Sequence, residues 1–170
     1  MEDAQVYSME TLTKEAIDLL KERGVDLEDI GKLVLDLQKD YNENLTLEDS
    51  IENVRKVLEK REIVHAILTG IALDQVAERG LLDEPISNII LDDEALYGID
   101  EIIPLSIVNV YGTIGLTNYG YLDKEKKGIL RELDENKCDN QCNTFLDDIV
   151  AALAAAAASR IAHADSENGL

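Results

Sequence analysis

Tryptophan is absent from the 170 residues, phenylalanine occurs once, and only two prolines, Pro85 and Pro104, interrupt the chain. Little therefore breaks helix, and the dominant Ala, Leu, Glu, Lys and Ile favour helix over sheet. Basic residues are also scarce: 16 Lys and Arg stand against 36 Asp and Glu, for a formal net charge of −20. A surface of that sign repels phosphate backbones and anionic membranes at long range, which argues against nucleic-acid binding and makes cations the natural partners. Cysteine is limited to Cys138 and Cys142, close together in a polar loop. Two thiols give no disulfide framework and only half of a zinc site, and neither His65 nor His163 supplies the other half by spacing.

Other chemistries are missing by motif. Gly112-Thr-Ile-Gly115 is too short for a phosphate-binding loop and lacks its lysine, and no Gly-x-Ser-x-Gly or Ser/His/Asp order occurs. Covalent catalysis is disfavoured. No basic-then-apolar leader precedes the first charged segment, so the chain reads as a soluble cytoplasmic protein with reduced thiols. Residues 102–122 lack charge but carry Ser106, Asn109, Thr113, Thr117, Asn118 and three glycines. A membrane span needs about 20 predominantly apolar residues, and this polar content reads instead as a buried helix followed by a turn.

What is present is helical patterning over residues 1–170, read as a single all-α domain. Asp26 begins an N-cap signature, after which Ile30, Leu33, Val34 and Leu37 fall at helical spacing. Thr46, with Asp49 three residues on, caps a stripe through Ile51, Val54, Leu58, Ile63, Ile67 and Ile71 that predicts one long helix towards Gly80. Pro85 suits the start of a short helix through Ile86, Ile89 and Ile90, and residues 92–98 read as a loop. Thr144 reads as the cap of a last helix through Leu146, Ile149, Val150, Leu153 and the alanines of 154–158. A helix small on most sides belongs at the centre of a compact bundle or at a subunit contact. That helix and the long apolar stripes make a homo-oligomer the expected state.

Acidic side chains recur beside apolar segments in the C-terminal half: Asp100 with Glu101, Asp123, and Asp147 with Asp148. Acids so placed need a cation or donors. Adjacent helical side chains diverge by about 100°, so Asp147 and Asp148 cannot act as a simple pincer on one ion. Hard oxygen donors from several helices suit Mg2+, with Mn2+ as the alternative, and such an inventory fits phosphoryl hydrolysis. Each acid also has an ordinary explanation, as a helix-terminal charge at Asp100, Glu101 and Asp147, or as the cap of a segment beginning at Lys124 for Asp123.

Residues 121–131 and 145–151 resemble the closing motifs of the phosphatidylglycerophosphatase A family, and residues 99–101 resemble its Asp-Glu motif. The likeness covers about residues 97–160, within an acidic-site half of about 97–163, and is most specific over Phe145-Leu-Asp-Asp-Ile-Val-Ala151. It implies that Asp100, Glu101, Asp123, Asp147 and Asp148 bind magnesium or support its ligands. It also implies that Lys126, with Arg131 as a second contact, holds the substrate phosphate, and that Asp100, Glu101, Asp123, Asp148 and Lys126 do the catalytic work. Residues 68–74 offer a weaker counterpart that makes Asp74 a lesser candidate. Lys127 and Ile129 stand where the family tends to have proline, and the membrane helices of better-known members are missing. The chain is most similar to the soluble Gram-positive branch, some of whose members carry the label low-temperature requirement C protein. The expected activity is Mg-dependent hydrolysis of a phosphomonoester, phosphatidylglycerophosphate or a related lipid phosphate, with transient membrane contact. The alternative is a non-catalytic, cation-binding bundle with a regulatory or cold-related role.

Overall fold

The computed structural model describes residues 7–135 and 141–167, and among them every regular element is helical. Helix α1 (Met9–Glu22) starts at Ser8, whose hydroxyl accepts the Thr11 N–H at 3.1 Å. In α2 (Leu27–Gln38) the Asp26 N–H donates to the Asp29 carboxylate at 3.1 Å. At the start of α3 (Leu47–Val57) the exchange is reciprocal: Thr46 Oγ1 accepts from Asp49 N, and the Asp49 carboxylate accepts from Thr46 N. Both starts lie where the sequence predicts them, because a short polar side chain there satisfies amides that have no partner in the first turn.

The long helix expected after Thr46 is two helices. Chain direction changes at Lys60, which is extended (φ −90°, ψ 123°), and α4 (Arg61–Glu78) begins after it. The sequence carries a signal for the break: Leu58 and Ile63 are five residues apart, a step that fits neither three nor four. Two helices at different angles bury both Leu58 and Ile63 completely, whereas one continuous helix would turn one of them outward. Helix α4 runs unbroken through Gly70, whose missing side chain serves packing. A Cβ built there would lie 2.3 Å from Ile149 Cδ1 and 3.2 Å from Phe145 Cβ. Further on come α5 (Ile86–Leu91), α6 (Ile99–Val108), a 3-10 turn (Asn109–Tyr111), α7 (Gly112–Glu125), α8 (Ile129–Glu135) and α9 (Leu146–Glu167).

Helix α9 is the axis of the molecule. It packs against α2, α3, α4, α6, α7 and α8, and Ala151 through Ala158 are buried on every side. Small side chains let six neighbours approach one helix, so the central position predicted for it holds. The alanines are therefore covered by the chain's own helices.

Residues 102–122 depart from expectation. They do form helix, turn and helix, with Ile107, Val108, Tyr119 and Leu122 facing the core. Ile103, Leu105 and Tyr111 are half-buried against it, whereas Ile102, Val110, Ile114, Leu116 and Tyr121 are exposed. Taken from Ile99 to Glu125, the run is long and apolar enough by length and composition to cross a membrane. An uncharged segment in which apolar and small polar residues are mixed gives only a weak periodic signal of which face is covered.

Candidate active site

The start of α9 is held by buried polar contacts from several elements. The carboxylate of Asp74, on α4 and fully buried, accepts the Phe145 N–H at 3.2 Å and the Leu146 N–H at 3.2 Å. Thr144, expected to cap this helix, instead donates its hydroxyl to the Ile90 carbonyl at 2.6 Å. The cap comes from a distant carboxylate, which no local pattern reveals. Ahead of the helix, Arg23 pairs with Glu78 at 2.7 Å and donates to the Cys142 carbonyl and to Asn143 Oδ1. Glu78 in turn accepts the Cys142 N–H at 3.0 Å, and Asn143 Nδ2 donates to the Leu133 carbonyl at 2.9 Å. Helices α1, α4, α5 and α8 thereby fix the loop that delivers Asp147 and Asp148.

Asp147 and Asp148 are nearly buried, 8% and 5% exposed. Asp147 Oδ1 accepts the Asp148 N–H at 2.8 Å, and its other oxygen meets Lys126 Nζ at 2.6 Å. Lys126 stands just past the end of α7 in the left-handed region, φ 44°. That turn brings its ammonium back over its own helix, 3.1 Å from Asp123 and 3.8 Å from Asp148. Three carboxylates from two helices thus surround one ammonium.

One positive charge does not balance this group. Burial pushes Asp147 above the usual carboxylate range even with Lys126 beside it; burial and the charge of Asp147 do the same to Asp148. Burial opposes the charge on Lys126, but Asp147 and its neighbours outweigh it and raise the ammonium's pKa. Asp100, in the first turn of α6, is raised by burial and then by Asp93. Its charge reaches Asp148, which places the Asp100–Glu101 pair beside the group without a hydrogen bond to it. Tyr119 lies between: burial and the charges of Asp148, Asp123, Glu101 and Asp147 hold its hydroxyl in the protonated form.

The structure therefore brings Asp123, Lys126, Asp147 and Asp148 into direct contact, with Asp100 and Glu101 at the edge. Asp123 occupies the last turn of α7, so it caps no following segment. Arg131 is exposed on α8. Asp74 supports the site from beneath as the cap of α9. Cys138 lies outside the described residues; Cys142 is buried, and burial followed by the charge of Asp74 pushes its thiol up to about 12. A thiol so firmly protonated is a poor metal ligand. His65 is exposed on α4, and the His163 ring lies 3.4 Å from the Tyr111 carbonyl. Tyr119 and Asp93 were missed from sequence. Tyr119 was recoverable, because it sits four residues before Asp123 on one helix face. Asp93 was not, because its place depends on a loop residue with φ 50°.

Among the described residues, no three His, Cys, Asp or Glu side chains converge closely enough to hold a metal ion as they stand, and the centre of the carboxylates is taken by the Lys126 ammonium. The donor chemistry nonetheless fits a hard divalent cation. It consists of carboxylate oxygens only, with two of the acids raised by burial.

An all-helical bundle that aims a carboxylate–lysine group at the N-terminus of its axial helix defines the class. The match to known proteins is specific: residues 26–163 fit the phosphatidylglycerophosphatase A family, and the chain belongs to it. It is 64% identical over 157 residues to YpjQ, an uncharacterised protein of Bacillus subtilis, covering 92% of this chain and 88% of that one. YutG of the same bacterium is 56% identical over 144 residues, covering 85% and 86%. The crystal structure of YpjQ superposes with a TM-score of 0.91 over 95% of this chain and 99% of that one, at 62% identity. That of the low temperature requirement C protein from Listeria monocytogenes does so with a TM-score of 0.89 over 94% and 99%, at 55% identity.

Proposed function

We propose that this protein is a divalent-metal-dependent phosphatase acting on phosphatidylglycerophosphate or a related lipid phosphate monoester. The observation that carries this reading is the undercompensated group of Asp123, Asp147 and Asp148 around Lys126, inside the region matched by the family. Asp123, Asp147 and Asp148, with Asp100 and Glu101 alongside, would hold Mg2+ or Mn2+. Bound there, the metal would supply Lewis acidity for attack of water on phosphorus. Lys126 keeps its charge, and exchange of an aspartate oxygen for a phosphate oxygen would let its Nζ hold the substrate. Asp74 fixes the first turn of α9, so the two aspartates present their oxygens from a rigid backbone.

The test is phosphate release from phosphatidylglycerophosphate in detergent, with and without Mg2+. Wild type should turn over only with the metal, and Asp148→Asn and Glu101→Gln should each lose about 100-fold. A pure, folded wild type that releases no phosphate overturns the reading. One observation favours the second reading, a non-catalytic cation-binding bundle with a regulatory or cold-related role: Lys126 already fills the place between the carboxylates. Mg2+ binding without turnover would select it.

A further inference from the structure

We infer that the Tyr119 hydroxyl is a substrate-binding group, which donates a hydrogen bond to an oxygen of the phosphoryl group taken up at the acidic site. Tyr119 is 5% exposed, with its ring in the core of the bundle and its oxygen closed to solvent. That oxygen has no hydrogen-bond partner among the described residues. Arg23 Nε is also buried without one, but its guanidinium bonds through both terminal nitrogens. The hydroxyl, in contrast, is the whole polar content of the Tyr119 side chain. Folded chains hydrogen-bond nearly all their buried polar groups, and phenylalanine would pack the same ring without leaving a donor unsatisfied. Folding does not account for this hydroxyl.

Its position does. Tyr119 stands four residues before Asp123 on one face of α7, which turns its ring towards the acidic group. Burial, followed by the charges of Asp148, Asp123, Glu101 and Asp147, keeps the O–H protonated. Those four carboxylates come from α6, α7 and α9, so the hydroxyl faces the place where the three helices meet. A protonated phenol seeks an acceptor, yet none of these carboxylates lies within hydrogen-bond distance of it.

The chemistry of the group says which oxygen it suits. Asp100, Glu101, Asp123, Asp147 and Asp148 present acceptor oxygens only, and Lys126 is already engaged with Asp147 at 2.6 Å and Asp123 at 3.1 Å. A phosphate monoester also presents acceptor oxygens, which carboxylates repel and which therefore need donors wherever they face away from a cation. Of the donors placed against the group, Lys126 is committed and Tyr119 is not. A second ammonium here would pair with the aspartates, whereas a neutral hydroxyl on a packed ring stays available. A water ligand of the cation matches less well: its lone pair goes to the metal, and its hydrogens seek the acceptors that the carboxylates already supply. The choice of ligand rests on the phosphatase reading; the unpartnered hydroxyl does not.

Tyr119→Phe removes the oxygen alone, and measurements on the full chain test its role. Without metal, the variant's midpoint in urea should equal that of wild type or exceed it, because no hydrogen bond is lost. Its affinity for Mg2+, by isothermal titration calorimetry, should be unchanged. Inorganic phosphate titrated into the Mg2+-saturated protein should bind the variant about 10-fold more weakly than wild type, and phosphate release from phosphatidylglycerophosphate should fall by a similar factor. A variant equal to wild type in phosphate binding and in rate overturns the inference and leaves the phosphatase reading standing. Loss of Mg2+ affinity also overturns it and assigns the hydroxyl to a carboxylate of the site, and a lower midpoint in urea assigns it to the fold. Folded wild type that neither binds nor releases phosphate overturns the phosphatase reading, and the inference with it.

Discussion

Asp74 shows how one side chain can set the accuracy of a site it does not enter. Its carboxylate receives two amides of the first turn of α9 in a place closed to water, so removing it leaves Phe145 N and Leu146 N without acceptors. Asp74→Ala should therefore cost about 2–3 kcal/mol of unfolding free energy in urea titration, and Asp74→Asn, which keeps an acceptor oxygen, clearly less. Burial pushes the Asp74 carboxyl from 3.8 up to about 8, against the pull of the Phe145 amide and Arg23. Between those values the folded chain holds a proton that the unfolded chain has released, so this group's contribution to stability falls as pH rises. The metal-free protein should be more stable to urea at about pH 5 than at about pH 8, and Asp74→Asn should flatten that slope. Asp147 and Asp148 shift in the same direction, so the flattening should be partial. Equal slopes in wild type and Asp74→Asn would show that Asp74 is ionised throughout. The sequence pointed to Asp74 only as a minor motif member. Its role as a cap joins residues 71 and 72 positions apart, and local pattern does not reach that far.

Helices that begin with their own polar cap were legible: Asp26 and Thr46 place α2 and α3, because the stabilising bond is made within three residues. Helices whose boundaries depend on packing were not. The five-residue step from Leu58 to Ile63 was visible in the sequence, yet only the three-dimensional direction of α3 and α4 gives it meaning. Where the outer face of α6 and α7 lies was also hidden, since an uncharged segment of mixed apolar and small polar residues gives little sign of which side is covered. Between α4 and α9 the decisive feature is absence of a side chain. Gly70→Val would drive a branched side chain into Ile149 and Phe145, and the resulting loss should be about 2 kcal/mol with a lower thermal midpoint. An unchanged midpoint would mean that Ile149 moves aside freely and that the two helices do not pack as closely as Gly70 allows.

At the scale of the whole chain, the acidic group gathers the starts of α6 and α9 and the end of α7, each held in place by contacts made elsewhere. Its members were legible because residues 99–101, 121–131 and 145–151 carry the family's motifs. Their mutual arrangement was not, because Lys126 reaches Asp147 only through a left-handed turn. With a formal charge of −20, the molecule should gain stability from any salt, but a cation held by this group should do more than screen. Mg2+ should raise the thermal midpoint above that in NaCl of equal ionic strength, and the excess should vanish in Asp147→Asn with Asp148→Asn. Equal midpoints in the two salts would leave screening as the whole effect. The clamp that Arg23 makes on Cys142 and Asn143 has a consequence for how the chain can be divided. The helix that ends at residue 22 and the helix that begins at residue 146 are held by the same few hydrogen bonds, although more than half of the sequence lies between them. A cut between them would part the helix that carries Asp147 and Asp148 from the arginine that holds its start.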